Sequence, residues 1–172
     1  MNETSEEKKP VWKKWWFWLI VIVVVGAISS GGGGGGSSSA DSLENPAKMG
    51  EVVATRYFDV TVNSYNTRKS AGSEYMKTEA GPGNTLLIID VTYKNSSSEA
   101  RFLSSGEVMV LVGGKELRFD SAEVVMDDGY ITFENLNPMT SITGKVVFKI
   151  PEGLKGTYFY KPERSDDLIR LN

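Results

Sequence analysis

Histidine and cysteine are both absent from this chain of 172 residues. Without histidine, the chain lacks the commonest general base and the commonest metal ligand, and a Ser–His–Asp triad cannot be built. Without cysteine, it has no thiolate nucleophile, no thiolate metal site and no disulfide. A domain of this composition depends on its hydrophobic core alone, which is more typical of an exported bacterial protein than of an animal extracellular domain.

An excess of positive charge is also missing. The formal net charge is −3, and the residues from position 41 onward carry 15 Lys and Arg against 19 Asp and Glu, which gives 15 − 19 = −4. Nucleic-acid phosphates require clustered Lys and Arg. The composition therefore predicts no nucleic-acid partner.

One long hydrophobic run lies near the N-terminus. Residues 15–28 (WWFWLIVIVVVGAI) contain no charged or polar side chain, but they number only fourteen, fewer than the ~20 that a membrane-spanning helix needs. Residues 11–30 make twenty, with Lys13 and Lys14 near one end, where long side chains reach the headgroups. The sequence therefore predicts a transmembrane anchor over residues 11–30.

The residues around this run predict its orientation. Four tryptophans lie at its N-terminal end, as in the aromatic belt of a membrane helix; they are Trp12, Trp15, Trp16 and Trp18. No Lys or Arg follows Lys14 until Lys48. The positive-inside rule then places residues 1–10 in the cytoplasm as a short stub and the rest of the chain outside, with membrane lipid as the partner of the anchor.

Two alternatives to an uncleaved anchor stay open. Ala27-Ile28-Ser29 offers a small-x-small site at which a signal peptide could be cleaved, releasing a secreted, antigen-like protein. A buried core helix is the second alternative, although the run has no polar face. The tryptophans and the many Val and Ile residues favour the anchor.

A glycine-rich linker follows the hydrophobic run. Residues 31–46 begin with six consecutive glycines and continue with serines, a composition that buries no apolar surface and behaves as a flexible tether. Residues 29–46 would span roughly 20–25 Å on average. The remaining residues, 47–172, are enough for one domain with a single core.

The domain reads as short strands separated by turns. Residues 56–63 alternate apolar and polar side chains, as in a half-buried strand. Residues 85–95 form the strongest strand, and its second face is also partly apolar through Leu86 and Ile88, which indicates a central place in a sheet. Residues 64–84 are polar and predict a long loop or irregular hairpin.

The second half of the domain continues this pattern. Gly113-Gly114 separates two strand-like segments and suits a two-residue hairpin. A strand over residues 141–150 lies between Pro138 and Pro151, and further strands are predicted at residues 157–161 and 167–171. About six to eight short strands with regular turns predict an all-β, immunoglobulin-like β-sandwich, with a small barrel as the alternative.

Three stretches form a recognisable set: residues 57–64 of the first strand, the segment GNTLLIIDVTYKNS at residues 83–96, and the "NP…TGKVVFKIP" segment at residues 137–151. Together they resemble the DUF4352 family of bacterial cell-envelope proteins. The resemblance implies an immunoglobulin-like sandwich that follows a signal or anchor and a low-complexity linker. Met139-Thr140 departs from the Gly-acidic pair usual in the family. The family has no accepted catalytic motif, so the resemblance implies no site residues.

The acidic residues offer little chemistry. Asp127-Asp128-Gly129 could contribute to a Ca²⁺ site or to a carboxylate-based enzyme, but the ligand spacing of a calcium loop is missing, and a hairpin tip is the favoured interpretation. Asp166-Asp167 reads as a solvated surface. We therefore predict no enzyme activity, no metal and no cofactor.

Tyrosines in two predicted strands form a candidate contact face. Alternation places Tyr57, Tyr158 and Tyr160 on one side and the phenylalanines beside them on the other. Tyrosine combines apolar area with a polar group, as protein and glycan contacts require. We therefore predict an extracellular binding or scaffolding module whose partner is an envelope protein or a glycan.

Overall fold

A computed structural model describes residues 43–121, 129–131 and 135–172. The predicted stub, the transmembrane anchor with its Trp and Lys residues, and most of the linker lie outside the described residues, as do Asp127 and Asp128. Within the described ranges, no helix is long and apolar enough to cross a membrane.

The described residues form thirteen β-strands. In chain order they are β1 (Ala47–Lys48), β2 (Val52–Ala54), β3 (Phe58–Arg68), β4 (Ser70–Gly72), β5 (Lys77–Glu79), β6 (Asn84–Asn95), β7 (Arg101–Phe102), β8 (Glu107–Val112), β9 (Lys115–Asp120), β10 (Asn135–Leu136), β11 (Ser141–Pro151), β12 (Thr157–Lys161) and β13 (Ile169–Arg170).

Two sheets face each other across the core. One has the order β11-β6-β3-β2 and the other β1-β13-β12-β8-β9, while β7 pairs with β10 and β4 with β5. Inward side chains from both sheets share one apolar cluster, in which Ile89 and Phe148 of the first sheet meet Val110 and Ile169 of the second. The predicted β-sandwich is confirmed.

Strand β6 is the centre of the four-stranded sheet, as its two apolar faces predicted. It pairs antiparallel with β11 along its whole length and with β3 on the other side. Its outward residues Leu86 and Ile88 are buried under the β4–β5 hairpin, where Ala71 and Ala80 pack against them. The region expected to be a loop or irregular hairpin therefore covers the outer face of the sheet.

Two turns follow directly from their sequences. Val112 pairs with Lys115 across Gly113 and Gly114, whose φ values of 56° and 81° fit a two-residue hairpin turn that needs φ > 0 at both positions. The turn from Asn137 to Thr140 closes with a hydrogen bond from Thr140 N–H to Asn137 O (3.2 Å).

The strand pairing defines one end of the sandwich. Strand β3 begins where β6 ends, since Phe58 lies opposite Asn95. Strand β12 ends at Lys161, opposite the first residue of β8. The two sheets meet at this end because Tyr93 of β6 contacts Tyr160 of β12 through their hydroxyls. We call it the loop end of the sandwich.

Candidate functional site

A tight turn at the loop end presents Arg56 and Tyr57. Thr55 closes it: its N–H and its hydroxyl both donate to Phe58 O (2.7 and 2.9 Å), and its Oγ1 accepts the Phe58 N–H (3.1 Å). Tyr57 O accepts a hydrogen bond from Ser96 N–H (3.0 Å). The backbone that carries Tyr57 is therefore fixed on both sides, and its half-buried ring packs against the main core.

Three guanidinium groups gather around the Tyr57 ring. The distances from the guanidinium carbon to the ring centroid are 4.3 Å for Arg101, 5.2 Å for Arg56 and 5.6 Å for Arg164. The chain has six arginines in all, so half of them meet at one ring. Each such cation–π contact stabilises by about 0.5–1 kcal/mol when exposed. We call Tyr57 with these three arginines the Tyr57 cluster.

The positive charge of the cluster is only partly compensated. Glu99 accepts from Arg101 at 2.8 Å, and Glu163 lies 3.5 Å from Nε of Arg164. Arg56 has no carboxylate partner among the residues that the structure describes. Among the described residues, three guanidinium groups and two carboxylates leave one positive charge at this site without a carboxylate partner.

The backbone of Arg164 is strained. Its φ of 56° lies in the left-handed region, which costs a residue other than glycine about 1–2 kcal/mol. Such outliers persist where the surrounding structure demands them, often at binding sites. Here the conformation accompanies the placement of the Arg164 guanidinium beside the Tyr57 ring.

A shallow groove runs beside the cluster. It includes a pocket of about 10 Å³, the size of one water molecule, and a depression of about 240 Å³, both lined by the Pro162–Arg164 turn. The exposed ring of Phe102 lines the pocket together with Tyr57. Its polar lining includes Thr55, Ser104 and Glu163. The surface thus combines apolar rings with a net positive charge.

Two buried tyrosines lie beneath the groove. The Tyr160 hydroxyl donates to Ser105 O (2.7 Å), so the Tyr93 hydroxyl must donate to Tyr160 Oη. Burial raises the pKa of both phenols well above the usual value. The pair is thus a neutral, satisfied network that supports the floor of the groove.

The structure divides the predicted tyrosine contact face. Tyr57 is half-buried within the Tyr57 cluster, and Tyr158 is half-buried with its hydroxyl donating to Leu154 O (2.6 Å). Tyr160 is wholly buried, so its assignment to an exposed face is wrong. Alternation correctly separates Phe159 from its neighbours, but the tyrosines point into the main core and Phe159 packs on the opposite side of the sheet.

The three arginines of the cluster were not predicted from the sequence. Arg56 stands next to Tyr57, which is a weak local signal, but Arg101 and Arg164 come from distant segments. Only the pairing of the strands brings these segments together.

The acidic candidates can be judged only in part. Asp166 lies 3.8 Å from Lys161, and Asp167 accepts from the Ser165 hydroxyl at 2.9 Å. In the described ranges, no group of three or more acidic side chains is arranged to hold a metal ion. Asp127 and Asp128 lie outside those ranges.

Comparison with known proteins identifies relatives of this chain. A family model described as "Domain of unknown function (DUF4352)" matches residues 47–167. The uncharacterized protein YxkC of Bacillus subtilis is 27% identical over 135 residues, which cover 73% of this chain and 74% of that protein.

Solved structures share the fold. A conserved hypothetical protein from Bacillus anthracis aligns with a TM-score of 0.55 at 17% identity, over 73% of this chain and 95% of that one. An uncharacterized β-sandwich protein from Clostridium difficile gives 0.53 at 11% identity, over 74% and 95%. MPT63, a secreted protein from Mycobacterium tuberculosis, gives 0.50 at 12% identity, over 74% and 98%.

Proposed function

Since the chain belongs to the DUF4352 family, whose function is unknown, we propose that it is a membrane-anchored, extracytoplasmic module that binds or scaffolds another component of the bacterial cell envelope. The observation that carries the binding role is the Tyr57 cluster. An arginine-rich, aromatic surface beside a groove has the composition of a contact site.

The proposed location is supported by the order of segments in the chain. A hydrophobic run with lysines on one side comes first, a glycine-rich tether follows, and the β-sandwich comes last. The similar fold of a secreted mycobacterial protein is consistent with a domain that works outside the cytoplasm.

Protease treatment of intact cells tests the location. We expect added protease to degrade the sandwich without lysis, and mass spectrometry of the untreated, membrane-bound protein to find residues that precede Ser30. A mature protein in the medium that begins after Ala27-Ile28-Ser29 would instead support the alternative of a secreted protein. Degradation only after lysis would overturn the outward orientation.

Site-directed photo-cross-linking tests the binding role. A photoreactive side chain in place of Phe102, which is 52% exposed beside the cluster, should give a discrete adduct on intact cells. The same side chain in place of Leu117, which is 38% exposed on edge strand β9, is the matched control. Equal adducts from both positions, or none from Phe102, would contradict a contact site at the loop end.

A further inference from the structure

The unbalanced charge of the Tyr57 cluster indicates the chemistry of its ligand. Three guanidinium groups repel one another, and two carboxylates compensate two of them. One singly charged anion would complete the balance at Arg56. Apart from these three arginines and two carboxylates, the described residues carry equal numbers of basic and acidic side chains, so the cluster stands out as a local positive site.

The arrangement of the arginines favours a tetrahedral anion. Arg56 precedes β3, Arg101 begins β7, and Arg164 lies in the turn after β12, so the three side chains reach the ring from three segments of the chain. The two oxygens of a carboxylate lie in one plane with its substituent, whereas the two charged and two ester oxygens of a phosphodiester are arranged tetrahedrally and accept hydrogen bonds from several directions. Guanidinium groups bind phosphate oxygens through forked hydrogen bonds.

We propose that the Tyr57 cluster binds a single phosphodiester group, with the organic part of the ligand lying against the exposed side of Phe102. A phosphodiester carries one negative charge, which matches the one uncompensated guanidinium. This inference rests on the proposed binding function and names the ligand chemistry. A lipid headgroup and a soluble envelope polymer both present this group.

The probe for the test is dimethyl phosphate, the smallest phosphodiester. The full chain, labelled with ¹⁵N-arginine, is held in nonionic detergent micelles while the side-chain Nε–Hε signals are recorded. We expect saturable shifts for Arg56, Arg101 and Arg164. Sodium chloride at equal ionic strength controls for screening, and acetate controls for carboxylate binding.

Two variants test whether the anion binds at Arg56 rather than at any exposed arginine. Arg56→Gln removes the uncompensated guanidinium without disturbing an ion pair in the described residues, and it should weaken binding by about tenfold or more. Arg68→Gln makes the same charge change on an exposed residue at the far end of β3, and its affinity should stay within about twofold of the wild type. Equal losses in both variants, shifts reproduced by chloride, or tighter binding of acetate would overturn the proposal.

Nanodiscs separate the two sources of the phosphodiester. Phosphatidylcholine carries a phosphodiester that its own choline neutralises, whereas the phosphodiester of phosphatidylglycerol is uncompensated. If the three signals are already shifted in phosphatidylglycerol nanodiscs but not in phosphatidylcholine nanodiscs, an anionic lipid headgroup is the ligand. If dimethyl phosphate shifts them equally in both, the ligand is a soluble polymer. The cross-linking experiment gives an independent result. A Phe102 adduct without anion binding would contradict the phosphodiester ligand but not the binding role. Anion binding without an adduct would contradict the proposed binding of an envelope component.

Discussion

Asn95 joins three segments at the loop end through its buried amide. Its side chain is fully buried, its Nδ2 donates to Glu99 O (2.8 Å) and Leu136 O (2.7 Å), and its Oδ1 accepts from the N–H and the hydroxyl of Ser97 (2.9 and 2.7 Å). Asn95 is the asparagine of the Asn-Ser pair in the segment that resembles the family.

Replacing this amide should therefore be costly. Asn95→Asp turns two donated hydrogen bonds into contacts between a carboxylate and carbonyl oxygens, so we expect a loss of about 2–4 kcal/mol in the free energy of unfolding. Asn66→Asp, an exposed position in β3, should change it by less than about 0.5 kcal/mol. Urea denaturation followed by fluorescence measures both; equal effects would show that the buried network contributes nothing.

The buried tyrosine pair predicts an asymmetry between two similar mutations. Tyr160→Phe leaves both the Tyr93 hydroxyl and Ser105 O without a partner, so it should cost about 1–3 kcal/mol. Tyr93→Phe removes one donor and leaves the bond from Tyr160 to Ser105 O intact, so it should cost about 0.5–1.5 kcal/mol. Urea midpoints provide the comparison, and a larger loss for Tyr93→Phe would contradict the assigned donor order.

The same pair predicts how stability depends on pH. Burial raises the pKa of Tyr93 and Tyr160, whereas the unfolded chain releases each phenolic proton near pH 10. Above about pH 10 the unfolded state therefore binds fewer protons, and stability falls by up to about 1.4 kcal/mol per pH unit for each tyrosine. Below that pH the contribution is fully present.

Unfolding measured from pH 9 to 11.5 tests this expectation. The fall in stability should be shallower in Tyr93→Phe than in the wild type. Tyr75→Phe, at a residue that is 94% exposed, is the matched control and should follow the wild-type slope. Identical slopes in all three proteins would show that the buried phenols do not govern alkaline unfolding.

Among the elements, the strands that were easiest to predict are those of five residues or more with at least one apolar face. The predicted segments around β6, β8, β9, β11 and β12 agree with the structure to within a residue or two. Strand β3 runs beyond its predicted end because a bulge at Asn63 shifts the register and turns Tyr65 back toward the core. The sequence does not indicate that the β4–β5 hairpin covers the outer face of the sheet, because its small and polar residues show no clear alternation of apolar and polar side chains.

The turn before β11 contains a residue poorly suited to its backbone. Met139 has φ = 61° and is 71% exposed, and a non-glycine residue in this region costs about 1–2 kcal/mol. Met139→Gly removes this strain, but glycine also gives the unfolded chain more conformational freedom, which offsets part of the gain. We therefore expect a net increase of about 0.5–1 kcal/mol in the free energy of unfolding. The sequence showed the departure from the family pattern here; only the backbone angle shows its cost.

Met139→Ala is the control for this turn. It removes the side chain but keeps the left-handed penalty, so its unfolding midpoint should match the wild type within experimental error. A gain in Met139→Ala equal to that in Met139→Gly would attribute the effect to the side chain rather than to the backbone.

At the scale of the whole molecule, the packed domain reaches further toward the N-terminus than its first strand. Half-buried Leu43 packs against Met109, Phe159 and Leu168 on the outer face of the five-stranded sheet. Leu43 lies in residues 31–46, the segment predicted as linker, before the predicted domain of residues 47–172. Sequence periodicity could not reveal this contact because a lone leucine in a polar segment has no pattern.

Truncation measures the contribution of Leu43. A fragment of residues 43–172 should be as stable as one of residues 31–172, since the deleted linker is rich in glycine and serine. A fragment of residues 47–172 should lose about 1–2 kcal/mol because the apolar surface under Leu43 becomes exposed. Urea unfolding of the three fragments provides the measurement; equal stability of the two shorter ones would mean that the Leu43 contact is energetically neutral.

The position of the first strand has a mechanical consequence. Ala47 and Lys48 pair with Ile169 and Arg170, and the chain reaches Tyr57 only ten residues after Ala47. If the chain before Ala47 were pulled while a ligand held Arg56 and Tyr57, tension would pass through residues 47–57 and the short pairings of β1 and β2. The long pairings of β6 with β3 and β11 would lie outside this load path, so the short edge pairings would open before the core was stretched.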